Sequence, residues 1–389
     1  MSRMSELAGW ILFLLIIILI YGGMHLYVFN KVQAAFRLSA RSSAAAAVFM
    51  TVMVFSVIIG HLVERMGSNL FASLVLHISY IWLGLIFLFF MSALVIDVYR
   101  LSVYASGALT RQNFSTAMPS PMLSFFLPLM LAIVLNIYGY FEAKNIRTKE
   151  IVIKTSKLPK ESNKIRIVQV SDIHLGVMVS KKRLRRIIEM VKKTKPDILV
   201  STGDLVDSSS HNIGHFVKPL SLIDAKYGKF AVTGNHEFYT GLNQALEFTQ
   251  DVGFTVLRGE GVTVAGVINI AGVDDPTAKR FGGITGKGEV ELLSELPSEH
   301  FTVLLKHMPV VNNKAINVFD LQLSGHAHGG QIFPFSLLTR LVFITDHGLL
   351  SLSKHSRIYV SRGTGVWGPP IRVMAPPEIT VIDLVHKGE

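Results

Sequence analysis

The chain has 389 residues, half of them hydrophobic and only 17% charged, a balance too apolar for an ordinary soluble protein. It has no cysteine, which excludes disulfides, thiol nucleophiles and thiolate metal sites. A formal net charge of +11 fits basic flanks of membrane helices facing anionic lipid, or else a nucleic-acid surface.

The apolar excess lies before residue 143. Residues 8–29 are almost wholly apolar and long enough to span a hydrocarbon core of about 30 Å. The stretch is too long for the apolar core of a signal peptide. Further spans are read at 44–60, 71–96 and 122–141, as helices, because lipid-exposed backbone must satisfy its own hydrogen bonds. Residues 1–143 are therefore expected to form an all-α transmembrane bundle of about four helices, with the lipid bilayer as its partner. His25, His61, His77 and Asp97 fall in or near the spans. All but His77 are placed near helix ends, where water and headgroups satisfy them. An even number of spans leaves both chain ends on one side. That side carries Arg3, Arg65 and the basic run from Lys144 to Lys157; the other has Lys31, Arg37, Arg41, Arg100 and Arg111. The bias points to an integral protein of a bacterial cell membrane with its second half in the cytoplasm. Residues 144–163 read as a basic linker.

From residue 164 the pattern changes. Ile165 to Val170 is β-branched and alternating, a strand ending in Asp172-Ile173-His174. Lys181 to Lys193 follows as a helix with basic residues on one face and Leu184, Ile187, Ile188 and Val191 on the other. That basic face is most simply solvated. A second strand, Asp197 to Val200, leads to Gly203-Asp204, and a helix is read around 212–225. The third strand, Lys229 to Thr233, ends in Gly234-Asn235-His236-Glu237. A helix over 242–251 precedes short strands at 254–258, 262–265 and 267–272. Strands at 301–306 and 319–323 end in His307 and in Gly325-His326-Ala327-His328; strands at 357–361 and 378–384 follow. Strand–helix alternation implies an α/β domain over 164–389, and the carboxyl edge of such a sheet is where ligands collect.

Singly, each of these turns is ordinary. Together, five strand ends deliver Asp, His, Asp, Asn and three further His to one rim. Imidazole, carboxylate and amide oxygen suit Mn, Fe or Zn. Seven such groups are too many for one catalytic ion and about right for two, sharing a carboxylate and holding a hydroxide between them.

The ordered set Asp172-x-His174, Gly203-Asp204, Gly234-Asn235-His236-Glu237, His307 and Gly325-His326-x-His328 resembles the calcineurin-like metallophosphoesterases. The tail Ser361-Arg362-Gly363-Thr364-Gly365, then Gly368-Pro369-Pro370-Ile371-Arg372, is similar to their membrane-associated bacterial YkuE/YaeI-like branch. The resemblance spans about residues 164–386 and implies a four-layer α-β-β-α sandwich. It also implies two divalent ions, with Mn favoured. Asp172, His174 and His328 would take one, Asn235, His307 and His326 the other, and Asp204 would bridge. His236 would be the general acid or charge stabiliser at the leaving group, with Glu237 orienting it. Ala327 stands where Thr is common, at a position that is not a ligand.

The implied activity is hydrolysis of a phosphomonoester, phosphodiester or pyrophosphate. The alternative is a catalytically silent scaffold on the same fold, against which stands the complete ligand set. The loop Gly282-Gly283-Ile284-Thr285-Gly286-Lys287-Gly288 fails as a phosphate loop, because Phe281 and Gly288 occupy required Gly and Ser/Thr positions. A nucleic-acid partner is disfavoured, since no aromatic-plus-basic stacking platform is evident. A channel or transporter is disfavoured too, since the spans lack interrupted helices. Finally, Ile332 to Ile344 is strongly apolar and follows two candidate ligands directly. It reads either as packing of the second sheet or as an apolar lip admitting a lipid-linked phosphoester.

Overall fold

The computed structural model describes residues 3–67, 69–160, 164–207, 213–281 and 286–387. Four helices open it: α1 (Arg3–Phe36), α2 (Ala40–Arg65), α3 (Asn69–Thr110) and α4 (Pro121–Lys144). All four are long and apolar enough to cross a membrane. Ser39 caps α2 by accepting from the Ser42 N–H. The helices outrun the apolar spans, because polar residues extend a helix that hydropathy alone cuts short. Two polar groups expected near helix ends are thereby placed well inside. His25 is buried, accepts from Trp82 Nε1 on α3 at 2.9 Å, and donates from Nδ1 to the Tyr21 carbonyl at 2.8 Å. Asp97 meets Lys31 Nζ and the Tyr27 hydroxyl, both at 2.5 Å, tying α3 to α1.

Contacts divide the chain into Met1–Tyr140 with Gly368–Ile371, and Phe141–Trp367 with Arg372–Glu389. The second unit holds twelve strands among the described residues. They are β1 (Arg147–Thr155), β2 (Ile165–Val170), β3 (Ile198–Ser201), β4 (Lys229–Ala231), β5 (Thr255–Val256) and β6 (Glu260–Val264). Then come β7 (Ile268–Gly272), β8 (Phe301–Leu305), β9 (Leu321–Ser324), β10 (Gly348–Ser351), β11 (Arg357–Val360) and β12 (Glu378–His386). They form two six-stranded sheets, ordered β1-β12-β2-β3-β4-β5 and β10-β11-β9-β8-β7-β6. Ile167, Ile198 and Val200 of the first sheet pack against Ile268, Val303 and Leu321 of the second. On the outer side of the first sheet, Val168 and Leu199 meet Leu184, Ile187 and Val191 of the helix α5 (Lys181–Thr194). Outside the second, Ala271 and Leu304 meet Leu292 and Leu293 of the helix Glu289–Ser294. Apolar residues on both faces of each sheet thus build the α-β-β-α layering.

Much of the expected linker, 144–163, is a strand. Only Asn145 and Ile146 separate α4 from β1, which pairs in parallel with β12 from Arg147↔Glu378 to Thr155↔His386. Ile153 is buried and Ile151 partly so, while most of the charged residues point out. β1 is an edge strand, and the charges that read as linker are exposed along it. Residues 161–163 lie outside the described residues, as do 282–285 of the glycine-rich loop. The helix expected around 212–225 shrinks to a 3-10 turn and Val217–Ser221, with 208–212 not described.

The apolar segment after His328 forms the helix Phe335–Val342. Its Thr339 is buried, whereas Leu337, Leu338, Leu341 and Val342 are exposed. It does not pack the second sheet as a core strand would.

Candidate metal centre

β2, β3 and β4 run parallel and adjacent, as do β8 and β9, so their carboxyl ends share one rim. Asp172 and His174 follow β2, Asp204 follows β3, and Asn235 opens the short helix after β4. His307 follows β8, and His326 and His328 follow β9. All seven residues come together. His174 Nε2 lies 3.1 Å from His328 Nε2, which is 3.5 Å from Asp172 Oδ1. Asn235 Oδ1 lies 3.2 Å from His307 Nε2 and 3.0 Å from His326 Nδ1. Between the groups stands Asp204, whose Oδ2 is 3.2 Å from His307 Nε2 and 3.8 Å from His174 Nε2.

The turns are shaped for this convergence. A Cβ on Gly325 would overlap Ser171 Oγ and Asp172 Oδ2, and one on Gly234 would overlap the Asp204 carboxylate. Ser171 Oγ donates to Asp172 Oδ2 at 2.5 Å, and the His326 N–H donates to Asp172 Oδ1 at 2.9 Å. His307 Nδ1 donates to the Thr202 carbonyl at 2.8 Å, which turns Nε2 toward Asn235 and Asp204.

The donor set fits two cations. Ligand atoms about 2.1 Å from a common ion stand about 3 Å apart in octahedral geometry, close to the separations within each group. Burial lowers the pKa of His174 and of His326 to about 4, and burial followed by Arg372 lowers that of His328. Those imidazoles are neutral and offer lone pairs. Burial would lower His307 as well, but Asp204, beside it, raises it well above the usual range. The clustered carboxylates draw a positive charge to the spot where a cation would neutralise them.

His236 lies beside this set, with its ring centroid 4.7 Å from that of His174 and 5.8 Å from that of Trp367. Burial opposes its charge, yet Asp204 and Asp207 raise its pKa to about 9. The carboxylate on its ring is Asp207, with Oδ1 2.5 Å from Nδ1. Glu237, expected to orient His236, instead clamps backbone. It accepts from the N–H groups of Asp204 at 3.0 Å, Leu205 at 2.7 Å, Val206 at 3.2 Å and Gly234 at 2.6 Å. Asp207 was missed in the sequence; its one signal is a carboxylate three residues beyond Asp204 on the same loop. Arg372, also missed, is fully buried. It donates to the carbonyls of His328 at 2.8 Å, Arg362 at 2.7 Å and Gly365 at 2.6 Å, and lies 3.0 Å from His328 Nδ1.

The calcineurin-like phosphoesterase family matches residues 165–330. An uncharacterized metallophosphoesterase of Aquifex aeolicus is 40% identical over 262 residues, 67% of this chain and 100% of that protein. The uncharacterized metallophosphoesterase YkuE of Bacillus subtilis is 34% identical over 265 residues, 64% of this chain and 89% of its own length. A transmembrane protein with metallophosphoesterase domain from Danio rerio is 34% identical over 271 residues, 66% of this chain and 62% of that protein. Identity of this extent, over the whole of one relative, joins the convergent ligand set in a single conclusion: the chain belongs to the calcineurin-like metallophosphoesterases.

Proposed function

We propose that the chain is a membrane-anchored phosphoesterase that works with two divalent cations. The observation that carries this reading is the pair of three-residue groups on either side of Asp204. Asp172, His174 and His328 would hold one ion, Asn235, His307 and His326 the other, with Asp204 between them. The donor types suit Mn, Fe or Zn, and the family resemblance favours Mn. Bound there, two divalent ions would supply an activated water and charge stabilisation for phosphoryl oxygens. The chain's own residues do the rest. Glu237 fixes the backbone that carries Asp204. Asp207 accepts from His236 Nδ1 and keeps the ring charged, so that Nε2 can give its proton to the departing oxygen. A silent scaffold is the rival reading, and the intact ligand set speaks against it.

The test uses the full chain in detergent, loaded with Mn²⁺ and offered a monoester, a diester and a pyrophosphate. Hydrolysis of one class with about two ions per chain is expected. Asp204→Asn should abolish turnover and lower the bound metal, since one carboxylate supports both ions. Near-normal turnover in Asp204→Asn would overturn the two-ion assignment.

A further inference from the structure

The helix Phe335–Val342 has its amphipathicity inverted. Ser336 and Thr339 face the domain, and the Thr339 hydroxyl is satisfied by the Ser336 carbonyl at 2.9 Å. Leu337, Leu338, Leu341 and Val342 form one outward stripe, with Leu341 83% and Val342 74% exposed. Phe335 before them and Ile344 after them are exposed too. An ordinary surface helix turns its apolar stripe to the core. A contiguous apolar face turned outward marks an interaction site.

Lipid is the occupant that the chain itself argues for. Four helices of membrane-spanning length stand in the same polypeptide, and two residues separate the last of them from β1. The domain therefore works beside a bilayer. The helix has no acidic residue, and its one charge, Arg340, lies on the flank of the apolar stripe, more than half exposed although its Nε is 3.1 Å from Asp346 Oδ2. That is the pattern of a helix lying in a membrane interface, with its cation at headgroup level. Both ends are tied to the metal centre. The helix begins seven residues after His328, and Phe343 stands edge-on to His326, with ring centroids 5.7 Å apart.

We propose that this helix rests in the lipid surface and that the centre acts on a phosphoester carried there by a lipid. The inference rests on the phosphoesterase reading and names its substrate class. An immersed stripe puts the two ligand imidazoles next to the headgroup layer, where the phosphates of lipid-borne esters lie. Acyl or prenyl chains stay in the bilayer, and the protein needs no deep apolar pocket for them.

The absence of cysteine makes a direct test simple. The full chain carrying Leu341→Cys is labelled with a small fluorophore in nanodiscs of phosphatidylcholine and phosphatidylglycerol. Spin-labelled lipid should quench it strongly, while a label at Lys193→Cys on α5 should be quenched little. Equal quenching at both sites overturns the proposal. So does a Leu341→Cys disulfide dimer without lipid quenching, which would make a second copy of the chain the occupant. A second arm compares kcat/KM for a long-chain lipid phosphodiester and for a small chromogenic diester. Leu338→Ser combined with Leu341→Ser should lower the ratio of the two about tenfold or more, through KM. Quenching with an unchanged ratio overturns the lipid-substrate assignment alone. A metal-loaded parent that hydrolyses neither ester overturns the phosphoesterase reading instead.

Discussion

Asp172, His174, Asp204, His326 and His328 all have left-handed backbone, with φ of 53°, 54°, 51°, 68° and 50°. Each costs an L-residue about 1–2 kcal/mol. Such strain persists only where the surroundings over-determine it. Here glycines at 234 and 325 let chains approach, Glu237 gathers four N–H groups, and Arg372 gathers three carbonyls from two loops. The centre is thus pre-formed by residues that need never touch substrate. His236 and Asp207 are different, because among the described residues their side chains hydrogen-bond to each other rather than to backbone. His236→Ala should keep its metal and lose about 10²–10³-fold in kcat, the typical cost of one proton donor or charge stabiliser. Asp207→Asn keeps the shape of the pair and removes its charge, so a smaller loss of roughly tenfold is expected. Metal analysis alongside single-turnover kinetics checks both. Loss of metal from His236→Ala would make it a ligand and overturn its role as proton donor.

At the scale of elements, β12 is the hinge of the first sheet: it pairs in parallel with β1 and antiparallel with β2. Across that second pairing Arg166 stands opposite Asp383, joined at 2.7 Å and 2.8 Å by two nitrogens. The Arg166 hydrogen bonds hold the Asp383 pKa below its ordinary 3.8 despite partial burial. A depressed folded pKa contributes stability that is complete above the unfolded value and is lost as pH falls through the folded one. Asp383→Asn should therefore destabilise by about 1 kcal/mol at neutral pH, a cross-strand ion-pair magnitude. The gap between parent and variant should shrink only below about pH 4. Denaturation midpoints measured from pH 3 to pH 7 test this, and a gap that does not change with pH would deny the ion pair its role. The same element shows what the sequence could and could not disclose. The seven ligand candidates were readable because each follows a buried strand and sits just past its end, four of them beside glycine. β1 was not, because an edge strand with one buried face shows its charges more than its Ile151 and Ile153. Asp207 looked like any carboxylate in a polar loop; only the fold brings the ring of His236 to it. The inverted helix Phe335–Val342 was legible as apolar but not as exposed, since which face is covered depends on the neighbours a chain acquires on folding.

For the molecule as a whole, the distribution of cations bears on the side of the membrane on which the candidate metal centre stands. Helix bounds sharpen the charge argument. Lys31 lies inside α1 and is bound to Asp97, and Arg100 lies inside α3, 3.6 Å from the same carboxylate. Both lie more than a turn inside a helix, so each counts little toward orientation. That leaves Arg37, Arg41 and Arg111 at the α1–α2 and α3–α4 connections. On the opposite side stand Arg3, Arg65, and then Lys144, Arg147, Lys149, Lys154 and Lys157 within the first residues after the last span. Cations close to the ends of spans are retained on the cytoplasmic face. We therefore expect the phosphoesterase domain in the cytoplasm. Green fluorescent protein fused after Glu389 should fluoresce, and alkaline phosphatase at the same point should be inactive. Neutralising Lys144, Lys149, Lys154 and Lys157 to Gln should raise the alkaline phosphatase signal if these charges set the orientation. Active alkaline phosphatase on the unaltered chain would place the domain outside, and lipid-borne substrates would then be drawn from the outer leaflet.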